Sequence, residues 1–255
     1  MLTGCGPAPD RPSGNLGTVK PKSGDLIATF EIEGHGTIKA VLFPDIAPVG
    51  VENFQKLADQ GFYNGLTIHR VVDQFMFQGG SANGNGTGGE AAVNGGSFGI
   101  ETDDSARHFY GALCYANAAG QNSTQFYIVN ANESIDIDDT IKQYNEVYDA
   151  YSAYAAAASS AYDKAVYEYY ASEVKAALDK FSAIDQKVRA LYKERGGTPS
   201  LDGGYTVFGQ VYEGFDVIES ISKVEVELVE GGVDNVPSKP VDTIFIKNVT
   251  VSKYE

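Results

Sequence analysis

The chain has 255 residues, 43% of them hydrophobic, which suffices for a buried core in one large domain or in one domain with a sizeable insertion and argues against wholesale disorder. A formal net charge of -15 without a Lys/Arg cluster argues against a nucleic-acid partner, because phosphate contacts need concentrated positive charge. No stretch approaches the roughly 18 apolar residues that a membrane-spanning helix needs.

Residues 1–24 hold Pro7, Pro9, Pro12 and Pro21 among several glycines and show no hydrophobic period, a composition that predicts an extended, flexible tether. Within it, Leu2-Thr3-Gly4-Cys5 resembles the lipobox of bacterial lipoproteins, whose cysteine is lipidated and becomes the mature N-terminus. A lipobox follows a basic and then an apolar leader, whereas only Met1 precedes this one, as it would after removal of a signal peptide. A plain exposed cysteine is the alternative. Two acyl chains at Cys5 would suffice for stable attachment. The expectation is therefore a protein on the extracytoplasmic face of a bacterial cell membrane, touching that membrane only through a lipid at Cys5.

Ordered structure is expected from Leu26. Strand-like residues 26–32 and 37–42 flank the turn signal Gly34-His35-Gly36 and read as a hairpin. A helix follows over 48–60, with Val51, Phe54, Leu57 and Ala58 on one face and Gly61 closing it. Short apolar runs then recur between Gly- and Asn-rich loops, at 67–72, 75–77, 113–116, 126–129 and 206–211. A second short helix is expected at 215–222, and a last, well alternating strand at 243–251. Many short strands with few helices point to a closed or nearly closed β-barrel. Cys114, in the apolar run GALCYANA, reads as a small core residue.

Residues 135–197 break this pattern, lacking Pro and Gly until their end and being rich in Ala, Tyr, Lys and Glu. Tyr144, Tyr148, Tyr151, Ala155 and Ala158 follow helical spacing, as do Val166, Tyr169 or Tyr170, Val174, Leu178, Phe181, Ile184, Val188 and Leu191. One helix of that length would run roughly 85–95 Å. Both ends must return to one barrel, so an inserted helical hairpin is expected, reversing at 157–160 or at 170–172. The tyrosine stripe reads as the packing seam of that hairpin or as a partner surface.

Four blocks resemble the cyclophilin-type peptidyl-prolyl cis/trans isomerases. His69-Arg70-Val71-Val72, continuing through Phe75-Met76-Phe77-Gln78-Gly79-Gly80, is similar to the family's F-H-R-V/I-x-x-x-F-M-x-Q-G-G. Tyr115-Ala116-Asn117-Ala118 resembles M-A-N-A, and Ser123-Thr124-Gln125-Phe126-Tyr127 resembles S-Q-F-F. The run from Leu201-Asp202-Gly203 through Tyr205 to Gly209 resembles L-D-G-x-x-x-V-F-G. The resemblance implies a mainly β fold: an eight-stranded antiparallel barrel with two capping helices, formed by 25–134 and 198–255, with 135–197 as the inserted hairpin. It also implies an isomerase that needs no cofactor and no metal.

Rotation about a peptide C–N bond faces a barrier of about 18–20 kcal/mol, because resonance keeps the bond planar. Before proline, cis and trans are close enough in energy for both to populate. A catalyst must therefore bind the twisted amide better than either planar state. In the twisted state the prolyl nitrogen regains a lone pair, so a fixed donor aimed at it is stabilising.

Arg70, always charged and fork-shaped, is the implied donor, and Gln78 is expected to hold its guanidinium. Phe75, Met76, Ala116, Tyr127 and Leu201 are expected to line an apolar pocket for the proline ring. Asn117 is expected to bind substrate backbone through its main chain, and Gln125 to bond the substrate's carbonyl side. His69 is a candidate at the site, although strand alternation sends it to the face opposite Arg70. Many eukaryotic members carry Trp before the L-D-G block and His four residues after its Leu, where this chain has Ser200 and Tyr205. Tyr205 can supply an apolar face with a hydroxyl, and the missing indole implies weak cyclosporin binding.

Other signals point elsewhere less well. Gly84-Asn85-Gly86-Thr87-Gly88-Gly89 fits a nucleotide-loop pattern but is followed by no helix, so it reads as a mobile loop beside the groove. Asp136-Ile137-Asp138-Asp139 reads as a helix N-terminus rather than a cation site. Three functions compete: a foldase acting on X-Pro bonds of secreted or surface proteins, a proline-segment binding or chaperone module using the insertion as a partner-binding arm, and a barrel without turnover. Proline-containing peptides and unfolded or secreted proteins are the expected partners.

Overall fold

The computed structural model describes residues 14–229 and 234–255; Cys5 and its lipobox-like surroundings lie outside the described residues. Strands β1 (Leu26–Ile32), β2 (Gly36–Leu42), β3 (Thr67–Val72), β4 (Met76–Gly79), β5 (Phe98–Gly99), β6 (Ala112–Ala118), β7 (Gln121–Val129), β8 (Val207–Glu213) and β11 (Ile244–Lys253) pair in the order β4-β3-β11-β1-β2-β8-β6-β7-β5. All these pairings are antiparallel, and β7 also pairs back onto β4. Leaving aside the two-residue β5, this closes the eight-stranded barrel that the resemblance implies and removes the open edges of the sheet. Strands β9 (Val226–Glu227) and β10 (Lys239–Pro240) form a separate ribbon.

Alternation along the strands divides the apolar residues between two faces. Inside lie Phe30, Ile38, Leu113, Phe126, Phe208 and Ile246, all nearly inaccessible. Helices α1 (Pro48–Asp59) and α5 (Phe215–Ser222) bury their apolar faces in this core through Val51, Phe54 and Leu57, and through Val217, Ile218 and Ile221. Phe54 meets the rings of Phe30, Tyr63, Phe126 and Phe208 at centroid distances between 5.1 and 6.1 Å. On the opposite face of the same strands, Ile27, Val41, Met76, Cys114, Tyr127 and Val207 form a second cluster. The candidate site grows from that outer cluster.

The insertion forms three helices: α2 (Ile137–Ala157), α3 (Ala161–Ser182) and α4 (Gln186–Arg195). Each begins at a residue whose side chain accepts from the first turn, Asp136 from the amides of Asp138 and Asp139, Ser160 from that of Asp163, and Asp185 from that of Lys187. The chain reverses at 158–160. Tyr151 stacks on Tyr170, Tyr154 meets Tyr167 and Tyr144 meets Phe181, at 5.4 to 5.5 Å. The tyrosines nearer the tip stay exposed, Tyr162 at 77%. The third helix is an addition to the expected hairpin. Asp185 caps a new start after Phe181 and Ile184 have turned into a cluster with Ile137, Val188, Tyr192 and Phe109.

Gly197 explains how this base fits the barrel. Its φ is +130°, and a Cβ there would fall 2.2 Å from the His108 carbonyl oxygen. Only glycine lets the chain leaving α4 run this close to residues 107–109, where the Thr198 amide donates to the His108 carbonyl at 2.8 Å.

Residues 14–24, read from composition as part of a flexible tether, lie against the barrel. The Asn15 side chain is buried, donating to the Arg107 carbonyl at 2.7 Å and to Gln210 Oε1 at 2.9 Å, while its Oδ1 accepts from the Arg107 amide at 2.8 Å. Composition does not reveal such a contact, because it depends on one side chain meeting a fold formed far along the sequence.

Candidate active site

Arg70 on β3 faces Gln78 on β4 as a cross-strand pair, and this register brings their side chains together. Arg70 Nη1 donates to Gln78 Oε1 at 3.2 Å. Gln78 Nε2 donates to Gln125 Oε1 at 3.0 Å, and Gln125 Nε2 to the Gly86 carbonyl at 2.9 Å. The expected Arg70, Gln78 and Gln125 thus form one chain of hydrogen bonds ending on the glycine-rich loop.

The remaining side of the guanidinium is held by Asp234, which no sequence block pointed to. Arg70 Nε donates to Asp234 Oδ2 at 2.7 Å and Nη2 to Oδ1 at 2.5 Å, a two-point ion pair. This bond to Arg70 holds the Asp234 carboxyl below the ordinary carboxylate range against a smaller upward push from burial. Phe75 lies under the guanidinium, 5.7 Å from ring centroid to Cζ. The signal for Asp234 is weak in sequence, since an acidic residue among glycines reads as a solvated turn.

Strand alternation misplaces His69. The β3–β4 register pairs Ile68 with Gly79 and Arg70 with Gln78, so His69 is an extra residue in a β-bulge. The bulge cancels the alternation, and His69 lines the same groove as Arg70. That groove, a cavity of about 480 Å³, is walled by His69, Arg70, Gln78, the loop 84–87 and Asp234. Burial drives the His69 pKa down to about 4, opposed by the Thr67 backbone and aided by the Arg70 charge. Among the described residues, its enclosed ring nitrogens have no partner of good hydrogen-bond geometry.

Beside the guanidinium, Phe75, Met76, Ala116, Tyr127, Leu201 and Tyr205 share the outer apolar cluster. Met76 and Tyr127 are buried and the other four are half-buried. Tyr205 meets Tyr127 edge to face, 6.0 Å between centroids. Asn117 Nδ2 donates to the Gly204 carbonyl at 2.9 Å, and Asn117 Oδ1 accepts from the Gly120 amide at 3.2 Å, so this side chain braces the turn that carries Tyr205. Ser200, at the position of the missing indole, is exposed.

The hydroxyl of Tyr127 turns away from this surface. It lies 2.9 Å from His108 Nε2, and His108 Nδ1 lies 2.8 Å from Asp202 Oδ1. A carboxylate can only accept, so Nδ1 carries the imidazole proton and the Tyr127 hydroxyl donates to Nε2. Burial lowers the His108 pKa against the raising effect of Asp202, leaving the ring neutral at pH 7. For Asp202 burial pushes upward, but the bonds from His108 and Tyr192 outweigh it and keep the carboxylate charged.

A fixed cationic fork beside an apolar patch can grip a proline ring and donate to a twisted amide. Residues 27–175 and 181–251 match the family model for cyclophilin type peptidyl-prolyl cis-trans isomerases. The chain belongs to this family. A protein assigned as a peptidyl-prolyl cis-trans isomerase in Staphylococcus haemolyticus is 34% identical over 226 residues, which cover 88% of this chain and 90% of that protein. Another, in Staphylococcus saprophyticus, is 36% identical over 205 residues, or 80% and 85% of the two chains. The crystal structure of a cyclophilin type isomerase of Cryptosporidium parvum covers 91% of this chain and 99% of its own, with a TM-score of 0.58 and 19% identity, a likeness of fold. That protein was also crystallised in the presence of the dipeptide Ala-Pro.

In this cyclophilin-type chain, the structure brings together Arg70, Gln78, Gln125 and the apolar residues that the sequence singled out, and adds Asp234, His108 and the burial of Asp202, which the sequence did not point to. Asp202 stands inside the L-D-G block, yet nothing local shows that its partners come from residues 108 and 192. Among the described residues, no group of three or more His, Cys, Asp or Glu side chains is placed to hold a metal ion, and no helix is long and apolar enough to cross a membrane.

Proposed function

We propose that this cyclophilin-type isomerase catalyses rotation about X-Pro bonds with Arg70 as the donor to the prolyl nitrogen. The proline ring then lies on Phe75, Met76, Ala116, Tyr127 and Leu201. The observation that carries this reading is the guanidinium held at Nε, Nη1 and Nη2 by Asp234 and Gln78, beside that apolar patch. A donor fixed before substrate arrives needs no reorganisation at the moment of twisting, which makes it electrostatically effective. Three nitrogens carry five N–H groups; the contacts to Asp234 and Gln78 use three, Nη1 also makes a long 3.8 Å contact to Met76 Sδ, and an N–H of Nη2 is left for the substrate. Gln125 and the Asn117 main chain bind flanking backbone. Tyr205 and exposed Ser200 form the rim, and the absence of the indole there supports weak cyclosporin binding.

The clients are proline-containing segments of unfolded or secreted proteins, met outside a bacterial cytoplasmic membrane. That location rests on the resemblance of Leu2-Thr3-Gly4-Cys5 to a lipobox, with a lipid at Cys5 as the anchor. A second reading, a chaperone-like module, rests on the exposed tyrosines Tyr154, Tyr162 and Tyr169 of the helical arm.

Refolding of a protein whose slow phase is prolyl isomerisation separates the two. Catalysis accelerates that phase at a small fraction of the client's concentration. A holding module instead leaves its rate unchanged or slows it, and acts only near stoichiometric amounts; that result would reject turnover as the function.

A further inference from the structure

Helix α4 reaches the outer cluster through one buried side chain. The Tyr192 hydroxyl donates to Asp202 Oδ2 at 2.7 Å. Asp202 Oδ1 accepts from His108 twice, from the backbone amide at 3.0 Å and from Nδ1 at 2.8 Å, and His108 Nε2 accepts from Tyr127. Tyr192, Asp202, His108 and Tyr127 are 0%, 5%, 0% and 3% exposed, which shields these bonds from bulk water. Arg107 Nη1, 3.5 Å from Asp202 Oδ2, is the further charge on the carboxylate.

Each proton in this chain has one place. Asp202 accepts at both oxygens, which fixes the imidazole tautomer, and the tautomer fixes the direction of the Tyr127 hydroxyl. A phenyl ring at position 127 would fill the same space without a histidine, a carboxylate and a second phenol beneath it. Buried charge is costly unless fully bonded, so this network adds direction that an apolar plug would not. The insertion is tied a second time to the same region, by Lys180 Nζ of α3 donating to the Ser200 carbonyl at 2.5 Å. The two ties flank Leu201, the other wall of the patch.

We propose that the inserted helices set the proline pocket of this isomerase: Tyr192, acting through Asp202 and His108, positions the Tyr127 ring on which the substrate proline rests. Tyr192, Asp202 and His108 are positioning residues, since none of them reaches the substrate. The inference rests on the reading that Tyr127 floors the proline pocket.

The test is a double-mutant cycle in the full chain, with wild type, Tyr192→Phe, Tyr127→Phe and the double variant. Binding of a short Ala-Pro-containing peptide is titrated by NMR, and its cis/trans exchange is measured on the same samples. Tyr192→Phe should weaken peptide affinity about three- to tenfold, with a smaller change in exchange rate at saturation. The double variant should bind no more weakly than Tyr127→Phe alone, because the hydroxyl that carries the coupling is already gone. Wild-type affinity in Tyr192→Phe, or losses that simply multiply, would overturn the proposal.

A wild-type measurement guards against a variant that does not fold. Saturating peptide should shift the His108 ring nitrogens, which lie beneath Tyr127, and should shift the Tyr192 ring as well. A shift at His108 without one at Tyr192 would also overturn the coupling. If wild-type protein neither bound nor turned over the peptide, the functional reading itself would fail, an outcome distinct from either of these.

Discussion

In the proposed mechanism Arg70 acts through direction as much as through charge, because Asp234 and Gln78 hold the guanidinium at three nitrogens. Arg70→Lys keeps the charge and loses the planar fork, so kcat/KM should fall about 10²-fold, close to the loss of the donor altogether. Asp234→Ala should lower kcat/KM by about three- to tenfold, the cost of losing the two-point ion pair that orients the fork rather than the donor itself. Steady-state exchange kinetics of the two variants check this ranking, which would be wrong if Asp234→Ala were the more damaging. His69 supplies a pH signature. Its folded-state pKa, near 4, lies below the ordinary 6.5, so the folded protein resists a proton that the unfolded chain takes up. Its contribution to stability is full above about pH 6.5 and is lost as pH falls toward 4. His108 is shifted in the same direction and adds to the slope. Melting temperature against pH should therefore fall more gently over this range in His69→Leu than in wild type. The pairing of Arg70 with Gln78 was legible only through the resemblance of residues 69–80 to the family motif, and the β3–β4 register then sets the two side chains opposite each other. The placement of His69 was not, because a bulge reverses alternation without any residue that announces it.

Among the elements, the helical insertion divides into an anchored base and an exposed tip. Its helical period was legible from Tyr, Ala and Leu spacing, but the break before α4 was not, since it depends on Phe181 and Ile184 finding Phe109 of the barrel. Gly197→Ala should be strongly destabilising, by about 2 kcal/mol or more, since its Cβ meets the His108 carbonyl and its φ disfavours any side chain. At the tip, Tyr162 is 77% exposed, and Tyr162→Ser should change stability by no more than about 0.5 kcal/mol. Chemical denaturation of both variants measures this contrast, and equal effects would mean that the base does not anchor the arm. The barrel strands were easier to read than the arm's attachment. Their alternation is set by neighbours within the same run, whereas the attachment joins residues 108, 192 and 202.

For the molecule as a whole, closure of eight strands leaves the candidate active surface on the outside of the barrel, with the insertion packed beneath one part of it. The four sequence blocks converge on this surface because β4 pairs with β7, and β6 with β8, once the barrel closes, adjacencies that order along the chain does not reveal. A net charge of -15 adds long-range repulsion of acidic clients and attraction of basic ones. Turnover of a lysine-flanked X-Pro peptide should therefore exceed that of its glutamate-flanked counterpart at low salt, and the gap should narrow as ionic strength rises. The central claim is rotation about the X-Pro bond driven by Arg70. It is tested most directly by NMR exchange spectroscopy on a short X-Pro peptide with wild type and Arg70→Ala. The account predicts enhanced cis/trans exchange with wild type and a loss of about 10²- to 10³-fold with Arg70→Ala. No enhancement by wild type, or equal enhancement by both proteins, would contradict it.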